Sequence, residues 1–136
     1  MTSAEANRYI GLPWVSGAAG PDAFNCWGLL QVVQRDHFGI ALPDLIFGDA
    51  ARQAYAEHMQ ARDWEVVPAT FHGAGVLLRG GDDPHVGVWL DLDSGGVLHA
   101  MQGRGVIWTA RSGLRLLGFS RLQYYRFNNG PSDRLP

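Results

Sequence analysis

The chain has 136 residues, one domain's worth, and 46% of them are hydrophobic, which excludes a disordered or fibrous protein. With 11 basic and 13 acidic side chains the net charge is −2, so there is no electrostatic case for nucleic acid or an anionic membrane. A single cysteine excludes an intrachain disulfide scaffold, and no apolar run is long enough to insert in a membrane.

Met1 to Tyr9 is polar and lacks the basic start and apolar stretch of a secretory signal. The expectation is a chain made in the cytoplasm that needs a carrier to act elsewhere. A short helix is expected over Ser3 to Ile10, closed by Gly11 and Pro13. A loop rich in Gly and Ala follows, from Ser16 to Ala23. The clearest helix starts after Asn25, a good N-cap, and carries an apolar stripe of Leu29, Leu30, Val32, Val33 and Phe38 that stops at Gly39. Asp49 can cap a third helix over Ala50 to Arg62.

From Trp64 the pattern changes to short strands between turn residues. The expected strands are Glu65–Val67, Val76–Leu78, His85–Leu90, Val97–Met101, Val106–Thr109 and Leu122–Phe127. Helices first and a strand meander afterwards is an α+β pattern, with a single domain over residues 1–127 and a loose tail over 128–136.

Cys26 falls in the first turn of the expected helix. Free amide groups and the helix dipole stabilise an anion there, so a thiol in that place ionises more readily. Alone, a single Cys is more often a small buried hydrophobe. Two histidines add weight. If the hairpin after Leu90 has a five-residue loop, Asp91 to Gly95, then Leu90 faces Gly96 and Gly87 faces His99. His85 and His99 then share one sheet face, diagonal to each other across a residue without a side chain. An even-length loop would send them to opposite faces. In the first case His85 can take the thiol proton and His99 can orient the imidazole of His85.

The other histidines carry less. His37 reads as a partner of the helix C-terminal dipole, His58 as part of a solvated helix face, and His72 as a loop residue. A zinc site from Cys26, His72, His85 and His99 lacks any short-spaced ligand pair. No metal and no cofactor enter the reading.

Three strings occur in order. They are Tyr9-Ile10-Gly11-Leu12-Pro13-Trp14 with Phe24-Asn25-Cys26-Trp27-Gly28-Leu29, then His85-Val86-Gly87-Val88-Trp89-Leu90, then Leu98-His99-Ala100. Together they resemble the NlpC family of papain-like cell-wall cysteine peptidases over residues 8 to 127. The resemblance implies a papain-like fold and a Cys26-His85-His99 triad. It also implies a substrate and oxyanion pocket that includes Trp14, Asn25 and Trp27. Asn25 stands for the family's Asp, Trp27 for its Ser and Trp14 for a Tyr that helps line the oxyanion site. Trp14 is expected beside the cleft, and Trp27 against a partner or in the core.

The implied substrate is the peptide stem of peptidoglycan, cut between D-glutamate and a diamino acid. The Cys-Trp-Gly-Leu form is similar to the branch encoded by phages, prophages and gene transfer agents. That implies tail-tip or hub proteins as partners, action in the host periplasm during genome delivery, and no nucleic acid or membrane insertion. The helix Ala50 to Arg62 or the tail from Asn128 could supply the docking surface. Two alternatives stand beside this reading: a structural tail-tip protein with an idle pocket, and an amidase or acyltransferase on the same scaffold.

Overall fold

A computed structural model describes residues 1–42, 64–80 and 84–127. The expected helix Ala50 to Arg62 and the tail from Asn128 lie outside the described residues. Within them are helices α1 (Ser3–Asn7) and α2 (Cys26–Phe38) and six strands. The strands are β1 (Trp64–Val67), β2 (Gly75–Arg79), β3 (His85–Leu90), β4 (Gly96–Met101), β5 (Gly105–Ala110) and β6 (Arg121–Phe127). They form one antiparallel sheet in the order β1-β6-β2-β3-β4-β5. Each expected strand is present, longer by at most one residue at an end.

The first helix ends at Asn7, earlier than Ile10. Its start is secured by a capping box, with Thr2 accepting from the Glu5 N–H and Glu5 accepting from the Thr2 N–H. Helix α2 starts where Asn25 Oδ1 accepts from the Gly28 N–H at 2.7 Å. It stops at Gly39, whose φ of 68° is left-handed and suits a residue with no Cβ. Leu29, Leu30 and Val33 are fully buried, each contributing about 1.5–3 kcal/mol by leaving water.

Alternation along the strands sorts the core into two layers. Val86, Val88, Leu90, Leu98 and Ala100 pack with Leu29, Leu30 and Val33 on the face that α2 covers. Val76, Leu78, Trp89 and Val97 form a second cluster on the opposite face, closed by Leu114 and Phe119. Two 3-10 turns, Arg111–Gly113 and Arg115–Leu117, carry the chain from β5 over that face towards β6.

Backbone bonds fix how α2 lies on the sheet. Before the helix, Val106 donates to the Leu12 carbonyl, Gly11 donates to the Val106 carbonyl, and Phe24 donates to the Pro13 carbonyl. Val106 pairs with Ala100. Near the helix end, Gln34 Nε2 donates to the Gly73 carbonyl at 2.7 Å, and Gly73 N–H donates to the Trp89 carbonyl. Helix α2 therefore runs along β3 from its first residues to its last. Its start, with Cys26, lies at the end of the sheet where His85 opens β3.

Candidate active site

The hairpin between β3 and β4 decides the histidine geometry. Leu90 pairs with Gly96 and Val88 with Leu98, across a loop of Asp91 to Gly95. Asp93 and Ser94 both adopt positive φ, 45° and 71°, and Gly95 N–H donates to the Leu92 carbonyl to close the turn. Trp89 Nε1 donates to Asp91 Oδ1 at 2.6 Å and holds the loop's first residue. An odd loop keeps the expected register.

That register sets Gly87 beside His99. A Cβ built on Gly87 would stand 3.0 Å from His99 Cβ and 2.6 Å from Val97 Cγ1, so the position admits no side chain without displacement. Across it, His85 Nε2 and His99 Nδ1 are 2.9 Å apart, with the rings edge to face. On its far side His99 Nε2 meets Thr109 Oγ1 at 2.9 Å. Phe119 stacks on the His85 ring at 5.4 Å, nearly parallel, and meets His99 by its edge at 6.0 Å.

His99 is fully buried, and burial alone pulls its pKa down to about 4. It is therefore neutral at pH 7 and carries one ring N–H. Both ring nitrogens are nonetheless engaged, so His99 must accept at one and donate at the other.

Cys26 is the first residue of α2 and is buried. By the strand alternation the two imidazoles project from the face opposite α2, and Cys26 lies at the start of α2, at the sheet end where β3 begins. His85 is the first residue of that strand, with no earlier strand residue between its ring and the sheet end.

Trp14 is half-buried and forms a bridge with Phe24, just before the helix. With Gly11 to Pro13 and Gly103 to Gly105 it lines a groove of about 320 Å³ at this same end of the sheet. Asn25 is buried and occupied in capping, which gives it a structural task at the helix start. For Trp27 the core expectation holds and the pocket one is corrected. It is 1% exposed within the core under α2, so its indole offers no face to a substrate pocket or to a partner. The turn of about 100° per residue swings it inward.

His37 does more than face the helix dipole: its Nε2 is 2.9 Å from the Tyr9 hydroxyl and its Nδ1 is 3.4 Å from Glu5. His72, read as an idle loop residue, accepts from the Asp91 N–H at Nδ1 and bonds the Met1 carbonyl through Nε2. His58 lies outside the described residues. Sequence reasoning missed Thr109 and Phe119. Thr109 had a signal only through the next hairpin, because the β4–β5 pairing of Val97 with Thr109 puts it on the His99 face. Phe119 had none, since it reaches the pair from an irregular segment.

No protein-family model matches the chain. It is 27% identical to a protein of Haemophilus influenzae named "Probable endopeptidase", over 81% of this chain and 63% of that protein. It is 34% identical to protein P54 of Enterococcus faecium, over 60% of this chain and 17% of that protein. The chain thus spans less than two thirds of the length of these curated relatives. Among solved structures it superposes on the NlpC/p60 domain of the peptidoglycan hydrolase SagA. The TM-score is 0.59 at 22% identity, covering 89% of this chain and 92% of that domain. The fold is that of an NlpC/p60 domain, the α+β papain-like architecture expected from the sequence.

Burial of a neutral His99 has a consequence for stability. Its folded pKa, about 4, lies below the ordinary 6.5, so the unfolded chain binds the extra proton between those values. The contribution is complete above about pH 6.5 and is lost as the pH falls towards 4, to a total of about 3 kcal/mol. Urea unfolding at pH 7 and pH 4, compared with His99→Asn, measures it. The wild type should lose more stability than the variant over this range, and equal losses would contradict a buried neutral His99.

Proposed function

We propose that this chain is a cysteine peptidase of the NlpC type that hydrolyses peptide stems of bacterial peptidoglycan. The observation that carries the proposal is the His85–His99 hydrogen bond at the sheet end where the helix bearing Cys26 begins. The relative named as an endopeptidase and the fold shared with a peptidoglycan hydrolase domain support the same reading.

In this reading His85 takes the Cys26 proton, and the thiolate attacks the stem-peptide carbonyl. Backbone N–H groups at the start of α2 hold the oxyanion that forms. As the carbon–nitrogen bond breaks, His85 returns the proton to the departing amine. Water, deprotonated by His85, then cleaves the thioester and frees the carboxylate. His99 holds the His85 ring in place, and Trp14 borders the groove beside the helix start. The bond proposed for cleavage is that between D-glutamate and the following diamino acid. Of the two Trp replacements that would favour an idle pocket, Trp27 is buried in the core and Trp14 is half-buried beside the groove.

Purified sacculi in a zymogram, with wild type and Cys26→Ala, test the activity. The wild type should clear the sacculi, and the variant should lose on the order of a thousandfold or more in rate. Mass analysis of the released fragments identifies the bond. Clearing by Cys26→Ala at the wild-type rate would sink the proposal.

For the place of action we propose a phage-like tail tip from which the domain opens peptidoglycan in the host periplasm. The support is the Cys26-Trp27-Gly28-Leu29 string, similar to tail-encoded relatives. Mass spectrometry of purified particles from the producing strain should find the chain as a stoichiometric subunit. Its absence from intact particles, with activity free in the lysate, would point to a lysis enzyme instead.

A further inference from the structure

A neutral imidazole between two partners can be wired in either of two directions. In one, His85 Nε2–H donates to His99 Nδ1, and His99 Nε2–H donates to Thr109 Oγ1. In the other, the Thr109 hydroxyl donates to His99 Nε2, and His99 Nδ1–H donates to His85 Nε2. The heavy-atom distances, 2.9 Å at both links, suit both.

The two directions differ in what they leave on His85. In the first its Nδ1 is a lone pair, able to accept a proton. In the second Nδ1 carries the hydrogen and cannot act as a base. Once His85 is protonated it bears hydrogens on both nitrogens, and a His99 Nδ1–H would then stand head to head with His85 Nε2–H. Taking up a proton at His85 thus requires His99 in its Nε2–H form, and that hydrogen needs a buried acceptor. Thr109 Oγ1 stands at that nitrogen, on β5, where Thr109 pairs with Val97 and is 9% exposed.

We propose that Thr109 is a positioning residue for the thiol chemistry. By accepting the His99 Nε2–H it fixes the tautomer that lets His85 serve as base. The proposal rests on the reading of Cys26 and His85 as nucleophile and base, and it names a fourth member of the relay. Its register position supplies the hydroxyl: Thr109 lies on the same face as His99, one strand further from His85. Valine there keeps the shape and removes the acceptor. His99 then gains by moving its hydrogen to Nδ1, which still has a partner in His85 Nε2, and the relay reverses.

The test uses ring-nitrogen chemical shifts, which separate a protonated from an unprotonated imidazole nitrogen, on the intact wild-type chain, Thr109→Val and Thr109→Ser. Wild type and Thr109→Ser should show His99 protonated at Nε2, and Thr109→Val should show it at Nδ1. Iodoacetamide alkylation of Cys26 at neutral pH should slow roughly 10–100-fold in Thr109→Val, the range found when a metal-bound histidine loses its outer partner, and recover in Thr109→Ser. A wild-type His99 protonated at Nδ1 would overturn the proposal, even if Thr109→Val fails to fold. So would an unchanged tautomer in a folded Thr109→Val. Failure of the peptidase reading is a separate outcome: Cys26→Ala would still clear sacculi while the tautomer in Thr109→Val still switched.

Discussion

Two imidazoles can lie 2.9 Å apart inside a sheet only when the residue between them has no side chain and the hairpin joining them has the right parity. Gly87 meets the first condition and the five-residue loop from Asp91 to Gly95 meets the second. A slip of one residue would turn His99 into the α2 layer in place of Leu98 and Ala100, which would turn away from it, and would separate the two rings. The pairing of the two imidazoles depends on that register. The β4–β5 pairing then sets Thr109 on the same face, and Phe119 closes over the pair from the turns that follow β5.

The site also depends on α2 lying in one direction. The helix is tied at both ends by polar links to the sheet region, at Leu12 and Val106 before it and at Gly73 near its end. Its apolar side supplies most of the stabilisation, but hydrophobic burial is non-directional. The backbone links decide which end of β3 receives Cys26. A buried histidine kept neutral costs stability at acid pH, and the structure accepts that cost at His99, where both nitrogens find partners.

Much of this was legible in the sequence, for identifiable reasons. Asn25 and Gly39 bracket a run with helical spacing, so α2 could be placed to the residue. His85 to Leu90 is bounded by Pro84 and Asp91, and β3 has those limits. The hairpin register could be stated as a condition but not chosen, because turn conformation depends on three consecutive positive-φ residues that alternation does not report. The inward turn of Trp27 was one of two readings, and packing on the sheet decided it. Phe119 could not be reached, since a ring delivered by 3-10 turns has no periodicity to follow. His37 and His72 were underestimated because their partners, Tyr9 and Asp91, are distant in the chain and show no pattern.

The central claim is that the helix-start thiol of Cys26 and the imidazole of His85 act as one chemical unit. The rate of iodoacetamide alkylation as a function of pH, in wild type and in His85→Ala, tests it most directly. The account predicts fast alkylation of the wild type well below the ordinary thiol pKa of about 8.5, and a shift of the profile back towards that value in His85→Ala. Profiles for both proteins that follow free cysteine, with no difference between them, would contradict it.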